Sequence, residues 1–466
     1  MSDTKDLLSN YDARDIIEKD KKHLWHHMVQ HKIFESQDPK VFVEGEGARL
    51  KDIDGNEYLD GASGGVWCVN VGYGRESIAK VIYDQLVKLP YYAGVAGTIP
   101  AAQFAEKLTD LLPGLDHVFF AGSGSEANEK AFKMVRQIAH LNENTKSKVL
   151  YRDRDYHGTT IACLAASGQP EREEAYGPFP DGFVGIPHAL CYRCPFGLAY
   201  PDCNIECARA LEDVIREEGP ETVGAVILEP ITAGGGVIPP VEEYYPIIQE
   251  ICRRYDVILI IDEVVCGFGR TGSMFGFEHY DFTPDIVTMA KGMASAYAPI
   301  SATAVRSDIF EKFVHDPSRK YAYFRDISTY GGCTAGFAAG LENLRILEEE
   351  DLVENARLVG DYLCDRLREL SDYEYVGDVR GKGLFAGLEL VEDKSSRTPV
   401  SEDVMNAVMR RIIEEGVLVG KTTRSVPGLN NTINVAPPLI VTRADVDEIV
   451  DAVKVGVERG CQEVLG

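Results

Sequence analysis

The sequence predicts an α/β protein with one large domain on a mostly parallel sheet and one smaller domain, and three observations lead there. Short apolar runs alternate with longer helical patterns through the middle of the chain. The runs are rich in Val, Ile, Leu and Phe without clean alternation, as expected of strands covered by helices on both faces. The chain has 466 residues, whereas single cores stop growing near ~250–300 residues.

Five runs define the predicted sheet: HVFF (117–120), KVLY (148–151), VGAVILEP (223–230), DVILIID (256–262) and DIVTMAK (285–291). Each is followed at once by polar or small residues. GSGSEAN follows the first, and YHG comes a few residues after the second. Glu229 closes the third, Asp262 and Glu263 the fourth, and Lys291 the fifth. Ligands of open α/β sheets bind outside the carboxyl ends of the strands, so chemistry is expected along this one edge.

After the first run, Ala127, Ala131, Met134, Val135 and Ile138 recur at helical spacing, which predicts a helix starting near Ser125. Gly122 and Gly124 allow a tight turn that leaves free N–H groups at the helix start, a combination suited to phosphate. Neither G-x-x-x-x-G-K-[ST] nor G-x-G-x-x-G is present there. Earlier, DIDGNEYLD (52–60) lacks the spacing of a calcium loop and reads as a hairpin turning at Asp54, Gly55 and Asn56.

Composition narrows the function classes. Apolar residues make up 45% and charged residues 26%, as in ordinary globular proteins. A formal net charge of −26 argues against nucleic acid and anionic membranes as partners. It leaves a small anionic substrate open. No apolar run approaches the ~18 residues of a spanning helix, and MSDTKDLLSNYDARD lacks the basic and apolar regions of a signal peptide. Eleven cysteines, an odd number, are expected as reduced thiols in a cytoplasmic protein. Four of them, Cys191, Cys194, Cys203 and Cys207, have C-x2-C and C-x3-C spacing. That spacing resembles a four-thiolate zinc site with a short intervening loop, and no catalytic metal is expected.

The strand ends bring together a phosphate turn, Tyr156 beside His157, Asp262, and Lys291 further along. A pyridoxal phosphate enzyme needs this set. A lysine amine forms a Schiff base with the aldehyde, a carboxylate keeps the pyridine nitrogen protonated, an aromatic ring stacks on the pyridine, and backbone amides hold the phosphate. An imine would also remove the cost of burying a lysine charge at a strand end. The small residues after Lys291 would leave room for the cofactor and a neighbouring chain.

GSGSEANE (122–129), DYHG (155–158), LEP (228–230), IDEVVCGFGRTG (261–272), AKG (290–292), TYGG (329–332) and VRGKGLFAGLEL (379–390) together resemble the class III aminotransferases of pyridoxal phosphate fold type I. The resemblance covers roughly residues 25–460. It implies a seven-stranded, mostly parallel sheet in a large domain (76–335), a small α+β C-terminal domain (336–466) and an N-terminal segment (1–75) that packs with the small domain. It also implies Lys291 as the Schiff-base lysine and proton shuttle, and Asp262 at the pyridine nitrogen. Val264 and Tyr156 would lie on the two ring faces, with His157 alongside. Ser123, Gly124 and Ser125 would contact phosphate, and Thr329 would reach the phosphate of a neighbouring subunit. Glu229 would order the site, and the assembly would be a homodimer or homotetramer.

SGGVWCVNVGYG (63–74) resembles the branch that moves amino groups from ω-amino compounds to pyruvate, with Trp67 as a pocket wall beside Tyr156. The segments LWHHMVQHK (24–32), ITAGGGVI (231–238) and FRDISTYGGCTAG (324–336) narrow the expected donor to a short ω-amino acid. Taurine comes first, with β-alanine, hypotaurine or another ω-amine as alternatives. Arg424, in the Gly-, Pro- and Asn-rich GKTTRSVPGLNNTINVAPPL (420–439), matches the mobile substrate arginine of that branch. An aminomutase, racemase or decarboxylase would keep the same lysine and aspartate. A regulator built on this fold would instead carry a basic DNA-binding module, which the acidic chain lacks. Cys266 reads as a small apolar filler.

Overall fold

The computed structural model describes residues 11–466, so the signal-peptide reading of the first residues falls largely outside them. Three strands open the fold: β1 (Phe42–Glu46), β2 (Arg49–Asp52) and β3 (Glu57–Asp60). They form an antiparallel meander. Asp52 Oδ1 accepts from the N–H groups of Asp54 (3.1 Å) and Asn56 (2.8 Å), and Gly55 supplies the positive φ (87°) the turn requires.

The central sheet holds β4 (His117–Ala121), β5 (Lys148–Arg152), β6 (Phe183–Ile186), β7 (Val223–Leu228), β8 (Ile258–Asp262), β9 (Ile286–Met289) and β10 (Ser301–Val305). Its order is β4-β10-β9-β8-β7-β5-β6. Only β10 runs against its neighbours. The five predicted runs are all present. Strands β6 and β10 were missed because FVGI is short and SATAV carries two hydroxyls, so neither reads as an apolar run. Burial in β10 is nevertheless complete.

Side chains alternate between two cores. Val226, Leu228, Leu259 and Ile261 join one cluster, while Ala225, Ile227 and Ile260 join the other. Each fully buried aliphatic side chain stabilises the fold by about 1.5–3 kcal/mol before entropy is counted. Such a sheet is a stiff platform for whatever its strand ends carry.

The C-terminal part forms a second sheet from β11 (Val376–Gly381), β12 (Ala386–Asp393), β13 (Thr398–Pro399), β14 (Val417–Leu418), β15 (Gly420–Lys421) and β16 (Thr432–Val435), with one exception. Strand β14 leaves that sheet and pairs in parallel with β3. The helices Glu402–Glu414 and Arg443–Leu465 pack against one another beside it. No helix among the described residues is long and apolar enough to cross a membrane.

Candidate active site

Strand β8 ends at Asp262, which lies opposite Thr288 in the parallel register with β9. Asp262 is buried (3% exposed), and its carboxylate accepts three hydrogen bonds, which leaves acceptor capacity for a further donor. Oδ2 accepts from Asn128 Nδ2 (2.8 Å) and His157 Nδ1 (2.8 Å), and Oδ1 accepts from the Val264 N–H (3.0 Å). Asn128 is the joint of this wall: its Nδ2 also donates to the His157 carbonyl (2.6 Å), and its Oδ1 accepts from the Thr288 hydroxyl (2.6 Å). His157 Nε2 is buried without a partner among the described residues.

Glu229 follows β7 and is buried. It accepts from the backbone N–H of Tyr156 (2.9 Å) and of Ala233 (3.1 Å). Burial, with Asp155 and Asp262 close by, holds its carboxyl well above the usual carboxylate range. This residue therefore shapes the Tyr156 backbone.

Ser123 caps the helix Gly124–Leu141, accepting from Glu126 N (3.3 Å). The first-turn N–H groups of Gly124 and Ser125 have no intrahelical acceptor. Gly122 N–H is already given to Glu126 Oε2 (2.9 Å), and Ser125 Oγ accepts from Thr159 N (3.0 Å). A Cβ on Gly124 would lie 3.0 Å from Val264, so glycine lets this turn close on β8.

Lys291 follows β9 in a left-handed conformation (φ 45°), and its Nζ lies 5.6 Å from the Trp67 ring centroid. Trp67 (φ 63°) and Arg424 (φ 50°) are also left-handed. Such conformations are costly in non-glycine residues and concentrate where function requires them. Trp67 packs edge-on against Phe385 (5.6 Å between centroids). Of the small residues after Lys291, Gly292 faces this chain's own side chains: a Cβ there would lie 2.3 Å from Asn70 Nδ2 and 3.2 Å from Phe268.

Two candidate residues stand apart from this group. Thr329 is exposed, while its neighbours Ser328 and Tyr330 lie against the Gly122–Glu126 turn of the same chain. Arg424 is half-exposed and paired through both nitrogens with Glu402 (2.7 and 3.2 Å). All eleven cysteines are free thiols. Among the described residues no group of three or more His, Cys, Asp or Glu side chains is placed to hold a metal ion, so the four-thiolate reading of Cys191, Cys194, Cys203 and Cys207 finds no support in the geometry. Cys266 is buried, donates to the Ile231 carbonyl (3.5 Å), and burial pushes its thiol far up. That excludes a ready nucleophile.

Sequence reasoning passed over Asn128, Thr288, Arg172 and Arg270. Asn128 sits inside the quoted GSGSEANE, at a helical position where an apolar residue would be expected, and that misfit was the available signal. Arg270 is fully buried and clamps three parts of the chain. It donates to Ser63 Oγ (2.9 Å), Asn70 Oδ1 (2.8 Å) and the carbonyls of Leu384 (3.1 Å) and Pro437 (2.5 Å).

A lysine and a buried, hydrogen-bonded aspartate at neighbouring strand ends, next to a glycine turn at a helix start, define a fold type I pyridoxal phosphate enzyme. The aminotransferase class-III family matches residues 34–456, and this chain belongs to that family. The hypotaurine/taurine–pyruvate aminotransferase of Paracoccus denitrificans is 54% identical over 97% of this chain and 98% of its own length. The taurine–pyruvate aminotransferase of Rhodobacter capsulatus is 52% identical, covering 96% and 98%. Among solved structures, a Bacillus anthracis aminotransferase superposes with a TM-score of 0.91 at 39% identity, covering 98% of this chain and all of the other. The Pseudomonas jessenii omega transaminase, solved in complex with PMP, gives a TM-score of 0.90 at 33% identity, covering 96% and 99%.

Pyridoxal 5′-phosphate is the cofactor of this enzyme class, and the residues present fit it. Asp262 is a carboxylate whose donors are pre-arranged, the Gly124 and Ser125 amides are free for phosphate, and Lys291 Nζ has no carboxylate within ion-pair distance among the described residues.

Proposed function

We propose that the protein moves the amino group of a short ω-amino acid, taurine first, to pyruvate, giving sulfoacetaldehyde and L-alanine. Taurine presents an unhindered CH2–NH2 two carbons from a fully ionised sulfonate. The observation that carries this reading is the placement of Lys291 Nζ 5.6 Å over Trp67, in a chain more than half identical to two enzymes named for taurine and pyruvate.

The bound cofactor supplies an electron sink for the donor's carbon. The chain's residues do the rest. Lys291 Nζ would hold the cofactor at its aldehyde carbon, and would carry the proton taken from the donor's amine-bearing carbon. Asp262 holds the proton of the pyridine nitrogen, and His157 Nδ1 with Asn128 Nδ2 fixes the carboxylate for that task. Tyr156 and Val264 would cover the ring, and Ser123, Gly124 and Ser125 would hold the phosphate. Glu229 orders Tyr156 through its backbone N–H. Trp67 walls the amine pocket, and Arg424 receives a carboxylate by leaving Glu402.

The working unit is a homodimer, or a homotetramer built from it. Tyr91, Tyr92, Val95, Ile327 and Tyr330 expose large apolar surface around Thr329, which supports burial against a second copy with Thr329 reaching the partner's phosphate. We divide the chain into 1–75, 76–335 and 336–466, the first part joining the third through the β3–β14 pair. Free thiols throughout support a cytoplasmic setting.

A donor panel tests this reading. Taurine, hypotaurine, β-alanine and propylamine are each offered with pyruvate and with 2-oxoglutarate, and alanine and glutamate are followed. Highest kcat/KM for taurine with pyruvate is expected. Turnover of propylamine above taurine, or glutamate formation above alanine formation, would overturn it.

A further inference from the structure

Arg172 lies on the short helix Pro170–Glu173, with its guanidinium carbon 4.7 Å from the Tyr156 ring centroid. It is half-buried, and no carboxylate pairs with it among the described residues. Three nearby arginines have an acid: Arg152 has Asp155 (3.0 Å), Arg380 has Glu389 (2.7 Å) and Arg424 has Glu402 (2.7 Å). Buried Arg154 and Arg270 also lack an ion pair among the described residues, but Arg270 is held by four oxygen acceptors. Burial pulls the Arg172 pKa down, and Tyr156 opposes it only in part. A cation withdrawn from water without a counter-ion is destabilising unless something else satisfies it.

Its hydrogen bonds show what is left over. Nε donates to Gln169 Oε1 (2.7 Å), Nη2 to the Thr423 carbonyl (3.3 Å) and Nη1 to the Met28 thioether (3.2 Å). A guanidinium has five N–H donors in a rigid fork, and a thioether is a weak acceptor. Two donors are therefore unused and a third is held weakly. A planar fork with spare N–H groups suits an oxyanion that offers two or three oxygens. Gln169 is fully buried, so it fixes the direction of the fork.

We propose that Arg172 is the fixed anchor for the terminal oxyanion of the donor, a sulfonate, sulfinate or carboxylate. Arg424 is then reserved for pyruvate, exchanging Glu402 for the incoming carboxylate. The proposal rests on the ω-amino acid reading. It divides between two arginines a task that the sequence suggested for one. The Thr423 contact also joins Arg172 to the loop that carries Arg424, so donor binding and movement of that loop share one residue.

The test uses the cofactor-loaded full-length enzyme and its Arg172→Met and Arg172→Lys variants. Ethanesulfonate, which has the tail of taurine and no amine, is titrated by calorimetry, and kcat and KM are measured for taurine and for propylamine with pyruvate. Arg172→Met is expected to weaken ethanesulfonate at least tenfold. It should lower the taurine-to-propylamine ratio of kcat/KM by at least tenfold, through KM rather than kcat. Arg172→Lys, which keeps the charge without the fork, should bind ethanesulfonate at least threefold more weakly than wild type and more tightly than the Met variant. Should the Met variant not fold, the Lys variant carries the test alone. Binding within twofold of wild type, or equal losses for both amines, overturns the proposal; equal losses would mark Arg172 as a clamp on the 423 loop. Wild-type enzyme that fails to turn over taurine would sink the functional reading instead.

Discussion

The two sides of the candidate site are built on opposite terms. The Asp262 side is closed: a strand-end carboxylate, a histidine and an asparagine are all buried, and three donors converge on one aspartate. The side that carries Trp67 and Arg172, with the loop of Arg424 beyond them, is open, made of loops and the short helices Ser63–Trp67 and Pro170–Glu173. It includes left-handed residues and an arginine without an acid. A group that stays bound needs geometry that does not move, and a closed, satisfied network in a stiff sheet provides it. Two different substrates must share the other side in turn, and that needs groups able to change partners.

The largest effect is expected on the chemistry between the two sides. Lys291→Ala should lower turnover by about 10^3-fold or more and abolish the visible absorbance of the lysine–cofactor bond. Near-normal kcat in that variant would break the whole comparison. On the closed side, Asn128→Ala leaves Asp262, Thr288 and the His157 carbonyl each short of a partner. We expect a stability loss of about 2–3 kcal/mol, from unsatisfied buried groups and a small cavity, with looser cofactor binding. Chemical denaturation and cofactor titration read the two effects, and an unchanged midpoint would mean that the wall is not held by this residue. On the open side, Arg424→Ala should raise the KM for pyruvate by about tenfold, equivalent to ~1.4 kcal/mol, and leave the unfolding free energy within about 0.5 kcal/mol, because its Glu402 pair is half-exposed. A midpoint shift as large as that for Asn128→Ala would erase the distinction between the sides.

How legible each part was follows from how local its cause is. Strands β4, β5, β7, β8 and β9 are unbroken apolar runs, and each shows in a window of a few residues. The start of the next helix was readable to within a residue: the apolar spacing put it near Ser125, and it begins at Gly124 behind the Ser123 cap. Lys291 and Asp262 stood out as charges at the ends of such runs. Arg172 did not, since PEREE reads as a solvated turn and its lack of an acid depends on where Gln169, Met28 and Thr423 arrive. The state of Arg424 was equally hidden: its partner Glu402 lies 22 residues away in the chain.

By itself, then, the sequence determined five of the seven strands of the central sheet, the helix that opens on the phosphate turn, and the identity of the residues at the strand ends, because periodicity and burial cost act over short stretches of chain. Only the tertiary structure decided which donors hold Asp262, that Asn70 and Phe268 fill the space beside Gly292, and that Arg172 has no acid beside it. Most of those outcomes depend on distances between segments far apart in the chain, as for Asn128 and His157 on Asp262, Asn70 beside Gly292, and Met28 and Thr423 on Arg172. Electrostatic and packing energies are set by such distances, and local pattern does not encode them.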